Sequence, residues 1–479
     1  MKRLLSKQSA RALGIIEHLY GKDWVISETI ASAINCSERT LRSDIKYINH
    51  LIFPVVIRTS LKTGLKLVIP ASHSIKYVYS LLIQDSQNFI ILETLFFNSF
   101  ENLDRLAEAV FQSHATLYRS INYINTIIIE KGFTISMAQP IQIIGEEHAI
   151  LAFFRSYFFE KYNDEMPVNR HVFEDILNKI NAFYQLGNPR LFSFNLNVVT
   201  LYVLIRAIRL KQSPTNLFSK RLAEVPATEA VRKLNCDLSK SVGLTFYHDF
   251  YSDIWCYTDG QQFFLSYEAF LEGLRQPTVQ AEYDRLWELV TAIDSVLTVP
   301  LARKEQFVFS LYTINLREQL ISSIIVDQSQ VMLENVKRQS PYLYTKFNHV
   351  LKGFVKKYPD FNQENLFYNV ISAFENFWEL SYLNQPRVRI ALYSKYNDLT
   401  FKNNFRLIQS SLDKLVSVSL FFSYEDMTSL TDGYDLIITD ISGLVVEGTE
   451  IICIPYDIKL DELAKVEAFC YDFLQKSAE

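Results

Sequence analysis

The sequence has few of the residues that mark several common kinds of site. It contains 13 glycines in 479 residues, and neither G-x-x-x-x-G-K-[ST] nor G-x-G-x-x-G occurs, so glycine-rich phosphate-binding loops are not predicted. H-E-x-x-H and G-x-S-x-G are also absent, which removes the usual signatures of zinc proteases and esterases. We therefore expect no enzyme activity, no cofactor and no metal site.

Cysteines and long apolar runs are scarce as well. The five cysteines, at positions 36, 236, 256, 453 and 470, form no C-x-x-C pair, so a structural zinc site or a disulfide framework is not predicted and small core residues are the simplest interpretation. No apolar run of about 18 residues and no signal-peptide pattern occurs. The sequence predicts a cytoplasmic protein without a membrane partner.

A repeat is the most informative feature that is present. WVISETIASAINCSERTLRSDIKYIN, Trp24–Asn49, returns 76 residues later as LDRLAEAVFQSHATLYRSINYIN, Leu103–Asn125. The positions that match are Ala31, Ser37, Thr40, Leu41, Ile45, Ile48 and Asn49 with Ala107, Ser113, Thr116, Leu117, Ile121, Ile124 and Asn125. In each copy a serine stands where it caps a second helix after a short turn, which is typical of a helix-turn-helix.

The second helix of the first copy is predicted to be amphipathic. Leu41, Ile45 and Ile48 have the spacing of a buried stripe, which leaves a polar, cationic face. A helical hairpin with a purely structural role is the alternative to a DNA-reading unit. The predicted DNA-binding residues of the first copy are Ser37, Arg39, Thr40, Arg42, Ser43 and Lys46, and those of the second are Thr116, Tyr118 and Arg119.

Each copy is followed by a predicted pair of strands. VVIRTSLKTGLKLVIP, Val55–Pro70, forms a wing whose Arg58, Lys62 and Lys66 are available for phosphates. GFTISMAQPIQIIG, Gly132–Gly145, takes the same place after the second copy.

Charge favours DNA binding by the first copy. Residues 1–70 carry 11 Lys/Arg and 5 Asp/Glu, a net charge of +6, whereas the other 409 residues carry a net charge of −11. A basic end on an acidic chain is expected where one end neutralises phosphates. Between residues 87 and 147 only three Lys/Arg face seven Asp/Glu, so the second copy either makes few DNA contacts or braces the first.

The remaining chain predicts helices and then a small α/β domain. Residues 148–384 are a succession of helical patterns, and RQPT at Arg275–Thr278 divides them into two bundles. From residue 386 the apolar segments RVRIALYS, VSVSLFF, YDLIITD and EIICIPYD alternate with helical patterns, which is typical of a parallel sheet. A reactive group of such a domain is expected in the loop Ser394–Thr400, which holds no Cys or His.

This order of parts resembles the Mga and AtxA class of virulence regulators of Gram-positive bacteria. The resemblance rests on SERTLRSDIKYIN, on ATLYRSINYIN and on RIALYSKYNDLT with YDLIITD. It implies a mainly α-helical, multidomain transcription regulator that binds double-stranded DNA as a homodimer, paired through the helical modules, the C-terminal domain or both. The implied domains are winged helix-turn-helix units at 1–70 and 71–147, PTS regulation domains at 148–276 and 277–385, and an enzyme IIB-like domain at 386–479.

The resemblance also implies histidines phosphorylated by phosphocarrier proteins of the sugar phosphotransferase system, yet the sequence departs from the pattern there. Tyr202 and Tyr312 stand at the positions that best match the histidines of such domains. The candidate histidines are His171, His349 and above all His248, which Asp249 could orient. Two other functions stay open: a phosphotransfer component, for which Cys453 and Cys470 look too buried, and an RNA-binding antiterminator, which the repeat disfavours.

Overall fold

The computed structural model describes most of the chain. The described residues are 1–60, 62–162, 169–184, 196–212, 228–257, 264, 267–320, 324–325, 327–394, 399–423, 433–455 and 458–478.

The first repeat folds into a winged helix-turn-helix. Its elements are α1 (Lys7–Leu19), α2 (Ser27–Ala33), α3 (Glu38–Leu51) and the antiparallel strands β1 (Val56–Ser60) and β2 (Gly64–Val68). Gly64 begins β2 with φ +95°, and a Cβ there would lie 2.1 Å from the carbonyl oxygen of Val25. Only glycine lets the wing approach the segment before α2 this closely, where Val25 and Leu65 form a β-bridge.

The second repeat folds in the same way, so the prediction of two winged units is confirmed. Phe100 and Ile141 form the bridge that corresponds to Val25 and Leu65. The elements are α4 (Ile75–Asp85), α5 (Gln87–Phe97), α6 (Leu103–Ala109), α7 (His114–Ile128), β3 (Phe133–Ser136) and β4 (Gln142–Gly145).

A helical region follows without an intervening linker, because α8 begins two residues after β4. α8 is packed in an aromatic cluster in which Phe154 lies 4.2 Å from Phe96, centroid to centroid. The Glu93 carboxylate accepts hydrogen bonds from Tyr157, Lys161 and Tyr162, so α8 is joined to α5 by polar as well as apolar contacts. The elements are α8 (Glu147–Tyr162), α9 (Arg170–Tyr184), α10 (Leu196–Gln212), α11 (Glu229–Ser241), α12 (Phe250–Tyr257) and α13 (Tyr267–Gly273).

The chain divides into two compact units. The first comprises Met1–Arg275 and Leu316–Asp327, and the second Gln276–Asn315 and Gln328–Glu479. Pro277 opens the first helix after the division, as expected of a residue that tolerates the first helical turn. The helices that follow are α14 (Pro277–Ser295), α15 (Lys304–Leu320), α16 (Gln328–Gln339), α17 (Pro341–Lys357), α18 (Gln363–Ala373) and α19 (Phe377–Asn384).

The last hundred residues form the predicted parallel α/β fold. The four described strands are parallel and lie in the order β6-β5-β7-β8, with Val388, Ile390 and Leu436 in their core. The elements are β5 (Val388–Tyr393), α20 (Leu399–Ser411), β6 (Val416–Phe421), β7 (Leu436–Thr439), β8 (Glu450–Cys453) and α21 (Leu460–Ala478).

The interpretation of the cysteines as core residues is wrong for two of them. Cys470 is buried, but Cys236 and Cys453 are exposed. Cys453 ends the short strand β8, whose side chains are only partly covered, so an apolar sequence did not imply a buried strand here. Within the described ranges, no helix combines the length and apolar character needed to cross a membrane.

Candidate DNA-binding surface

The helix α3 presents the polar face that the sequence predicts. Ser37 caps it by accepting from the backbone N–H of Thr40 at 3.1 Å, and the two hydroxyls lie 2.9 Å apart. Leu41, Ile45 and Ile48 are buried beneath. The exposed side chains of the opposite face are Arg39, Arg42, Ser43 and Lys46.

Two polar contacts fix α3 against its neighbours. Arg11 on α1 donates to both carboxylate oxygens of the buried Asp44, at 2.7 and 3.0 Å, and this hydrogen bond raises the pKa of the Arg11 guanidinium above its usual value. Tyr47 donates to Asp85 on α4, and burial together with this carboxylate raises the pKa of Tyr47 to about 12. The reading face is therefore held at one orientation by side chains on its buried side.

Asn49 connects the end of α3 to the wing. Its amide nitrogen donates to the carbonyl oxygen of Ile57 at 3.0 Å, and its amide oxygen accepts from the Ile57 N–H at 2.7 Å. Asn125 makes the same two bonds to Ile135, at 3.0 and 2.8 Å. The repeated asparagine was visible in the sequence, but its function as a clamp between helix and wing was not predicted.

The wing carries the other predicted cations. Arg58 and Lys66 are cross-strand partners, and Arg58 and Lys62 are exposed. Lys66 forms an ion pair with Asp23, as Arg42 does with Glu38 at 3.2 Å. Ion pairs this exposed contribute only about 0–1 kcal/mol to stability. Arg42 and Lys66 can therefore release their carboxylates and bind a phosphate instead.

The second unit repeats the backbone of the first. Ser113 caps α7 by accepting from the N–H of Thr116 at 3.3 Å. Thr116, Tyr118 and Arg119 are exposed on this helix. The turn before it contains Phe111, which is 97% exposed.

Comparison with known families agrees with this geometry. Residues 6–64 match the family model of the M protein trans-acting positive regulator (MGA) HTH domain, and residues 71–158 match that of the Mga helix-turn-helix domain. The chain is a DNA-binding transcription regulator of the Mga type. In this Mga-type regulator the second match extends through most of α8, the helix that leads into the helical region.

Two relatives extend the similarity beyond the winged units. A protein of Streptococcus pneumoniae serotype 4, provisionally described as a trans-acting regulator, is 24% identical over 425 residues, which cover 83% of this chain and 84% of that protein. The capsule synthesis positive regulator AcpA of Bacillus anthracis is 26% identical over 224 residues, 45% of each chain.

A buried charge cluster joins the helical region of this Mga-type regulator to its second wing. Arg206 donates to Asp253 at 2.6 Å and to Glu147 at 3.0 Å, and Arg209 donates to both oxygens of Glu147 at 3.2 and 3.0 Å. Arg209 also donates to the carbonyl oxygen of Ile143 in β4, at 3.3 Å. We call Glu147, Arg206, Arg209 and Asp253 the charge cluster. The two arginines neutralise the two carboxylates, because charged groups are stable in a protein interior only when they are paired.

His248 is positioned differently from the prediction. Its partner is Asp253, with Nε2 and Oδ2 2.6 Å apart, and not its sequence neighbour Asp249. Asp249 instead accepts from the backbone N–H and hydroxyl of Ser252, at 3.0 and 2.6 Å. Asp249 therefore caps the start of α12, and Asp253, one helical turn further on, is the carboxylate that pairs with the His248 imidazole.

The other predicted regulatory positions are scattered. His171 and His349 are exposed, on α9 and α17. Tyr202 and Tyr312 are buried, and Tyr202 donates to the carbonyl oxygen of Asp253 at 3.2 Å. Across the described segments, no group of three or more His, Cys, Asp or Glu is placed to hold a metal ion.

The carboxyl edge of the parallel sheet holds two nucleophilic side chains. The buried Ser394 directly follows β5 and donates to Asp440 at 3.1 Å. Residues 395–398 of the predicted reactive loop lie outside the described residues. Cys453, at the end of β8, lies 3.9 Å from the hydroxyl oxygen of Ser442.

Proposed function

We propose that this regulator activates transcription by binding double-stranded DNA as a homodimer, with the first winged unit supplying most of the DNA contacts. The main support is the exposed, cationic face of α3. Asp44 fixes this helix to α1, and Asn49 fixes it to a cationic wing. Proteins that bind duplex DNA neutralise phosphates with such clusters of Lys and Arg. Binding to chromosomal promoters requires the cytoplasmic location that the sequence predicts.

The proposed DNA contacts of the helix differ from those of the wing. Arg39, Arg42, Ser43 and Lys46 lie on the helix that would enter the major groove, where an arginine recognises guanine through two hydrogen bonds. Ser37 and Thr40 stand at the N-terminus of this helix, where free N–H groups favour a phosphate. Arg58, Lys62 and Lys66 would contact the flanking backbone through the wing. With so few side chains suited to bases, the shape of the DNA would supply part of the selectivity.

Activation, as opposed to repression, is proposed from the relatives. The model matched by residues 6–64 and the Bacillus anthracis relative are both described as positive regulators. Both descriptions concern other proteins, and their shared direction of regulation supports the same direction here.

A homodimer would let two first units occupy two DNA sites at once, which is how helix-turn-helix proteins usually gain affinity. We propose that the second compact unit contributes to pairing, because it exposes Leu383, Leu399 and Leu460, which are 55%, 78% and 81% accessible. Sedimentation velocity of the full chain and of a variant with all three changed to Ser tests this. A dimer that persists in the variant would remove these leucines from the interface.

The DNA proposal is tested by fluorescence anisotropy with promoter fragments and random DNA across a salt series. The full chain is compared with the triple variant Arg39→Ala/Arg42→Ala/Lys46→Ala, whose changes are all on the surface. We expect binding that weakens with salt and is lost in the triple variant. Unchanged affinity of the triple variant would exclude α3 as the reading helix.

One observation keeps a phosphotransfer component as a second candidate. Cys453 is exposed at the carboxyl end of a parallel strand, which is where α/β domains place reactive groups. Incubation with phosphocarrier proteins and labelled phosphoenolpyruvate, with Cys453→Ser as control, decides between the two. Label on wild type that Cys453→Ser loses would support phosphotransfer, and label on His171, His248 or His349 would instead support the regulation that the resemblance implies.

A further inference from the structure

The same tyrosine position connects the two winged units in both directions. Tyr47 on α3 and Tyr123 on α7 are 76 residues apart, in the triplet YIN that occurs in both repeats. The Tyr47 hydroxyl donates to Asp85, the last residue of α4 in the second unit. The Tyr123 hydroxyl donates to the carbonyl oxygen of Arg3 at 2.8 Å, in the segment that leads into the first unit. Each reading helix is therefore hydrogen-bonded to the other winged unit.

The segment that carries Arg3 is itself anchored. The side chain of Leu4 is completely buried, and its carbonyl oxygen accepts hydrogen bonds from Ser86 at 3.1 Å and from Asn88 at 2.9 Å. Because α1 begins three residues after Leu4, no loop lies between the bond from Tyr123 and the first helix of the first unit. A displacement of α7 would therefore displace α1.

Both connections meet at the turn between α4 and α5. Asp85, which accepts from Tyr47, is followed directly by the buried Ser86, which donates to Leu4. The buried apolar side chains of the two units belong to one continuous core. Apolar contact is non-directional, whereas a hydrogen bond requires a defined geometry. The tyrosine hydroxyls thus add a defined orientation to the packing of one unit on the other.

The hydroxyl is the part of each side chain that serves this connection. A phenylalanine could pack in the same place but could not donate a hydrogen bond. Tyr47 lies three residues after the buried Asp44 and next to the buried Ile48, on the side of α3 that is turned away from its exposed cations. Its hydroxyl therefore points to the second unit rather than to DNA.

A fixed relation between α3 and α7 restricts the DNA that both helices can contact. B-DNA completes a turn in about 10–10.5 base pairs. Two helices held in one body reach the major groove together only where the distance and the rotational phase between their contacts fit that body. Units that move independently would tolerate a change of phase, at the cost of ordering them on binding.

We propose that Tyr47 and Tyr123 are positioning residues that hold α3 and α7 in one relative placement, so that the two winged units bind DNA as a single body and select promoters by the spacing of two contacts. The inference rests on the proposed function, because it requires DNA binding through α3. Spacing would add selectivity to a surface with few side chains suited to bases.

The test starts from a hydroxyl-radical footprint of the full chain on a promoter fragment at saturating protein. Arg42→Ala on α3 and Arg119→Ala on α7 assign the protected stretches, because each removes one exposed cation. An insertion of about five base pairs, half a helical turn, is then placed between the two stretches. Anisotropy gives the affinity of Tyr47→Phe/Tyr123→Phe for both fragments. Tyr20→Phe, which removes the hydroxyl of a tyrosine 48% exposed after α1, is the control.

We expect the wild-type chain and Tyr20→Phe to bind the inserted fragment about tenfold or more weakly than the original, with loss of the protection by α7, since the second contact is then out of phase. The double variant should stay within about tenfold of wild type on the original fragment and lose less than about threefold on insertion, because its units can reorient.

Three results would overturn the proposal. Equal insertion penalties in wild type and double variant would mean that the hydroxyls do not fix the two helices. A larger loss of the double variant on the original fragment would mean that the hydroxyls contact DNA. A footprint that Arg119→Ala leaves unchanged would mean that α7 does not contact DNA. Failure of the proposed function is distinguishable from all three, because it appears as unchanged DNA binding by the α3 triple variant.

Discussion

Arg206 and Glu147 form an ion pair of 3.0 Å with both side chains almost completely buried, at 0% and 4% exposure. Glu147 is the first residue of α8 and follows the second wing by two positions, whereas Arg206 lies in the middle of α10. The helical region and the second winged unit therefore share a charged interior. A rearrangement of α10 would disturb β4, because Arg209 on α10 donates a hydrogen bond to the carbonyl oxygen of Ile143 in that strand.

Arg206→Ala is expected to lower the free energy of unfolding of the first compact unit by about 3–5 kcal/mol, because it leaves Glu147 and Asp253 buried without their shared cation. Urea denaturation followed by tryptophan fluorescence and circular dichroism measures the change. Arg232→Ala removes an exposed arginine from α11 and should change the stability by less than about 0.5 kcal/mol. Equal effects of the two variants would mean that the charge cluster does not stabilise this unit.

Asn49→Ala and Asn125→Ala should each destabilise their own winged unit by about 1–3 kcal/mol, since each leaves a backbone N–H and C=O of a wing strand without the side chain that satisfies them. Only Asn49→Ala is expected to weaken DNA binding as well, because it releases the cationic wing from α3. Thermal denaturation and anisotropy measure the two effects. Asn122→Ala, at an exposed position of α7, serves as the control. Equal loss of DNA affinity in both clamp variants would assign DNA contacts to both wings.

The cap and the buried stripe of α3, unlike the asparagine clamps, could be predicted from the sequence. The local devices follow from short-range rules: Ser37 three residues before Thr40 predicts a cap, and Leu41, Ile45 and Ile48 predict a buried stripe. The parallel order of the last four strands also follows from the alternation of strand and helix patterns.

Long-range polar pairs could not be predicted in this way. Arg206 and Asp253 are 47 residues apart, and Arg206 occupies a segment whose apolar pattern predicts a core helix without indicating that its arginine is buried too. His248 has a carboxylate beside it in the sequence, yet tertiary packing brings it to Asp253. Sequence adjacency was therefore a poor guide to which side chains meet.

Arg42→Ala should lower affinity for the cognate promoter by about 1–3 kcal/mol if the guanidinium makes two hydrogen bonds to a base, and it should reduce discrimination against random DNA. Its ion pair with Glu38 is exposed and costs little to break. Lys62→Ala, in the wing, should weaken both kinds of DNA alike and reduce the slope of log affinity against log salt by about one. Lys352→Ala, an exposed lysine on α17, provides a control for the general effect of net charge. A parallel loss in all three variants would show that only overall charge matters.

Thiol labelling should distinguish the cysteines of the native chain. Burial raises the pKa of the Cys470 thiol to about 12, so near pH 8 its reactive thiolate form is rare and its sulfur is also covered. Cys236 and Cys453 are exposed. Iodoacetamide treatment followed by mass spectrometry of peptides should therefore modify Cys236 and Cys453 within minutes and Cys470 only after denaturation. Rapid modification of Cys470 in the native chain would mean that α21 does not stay packed on the sheet. Protection of Cys453 would mean that the carboxyl edge of β8 is covered, and it would remove the observation that supports the phosphotransfer alternative.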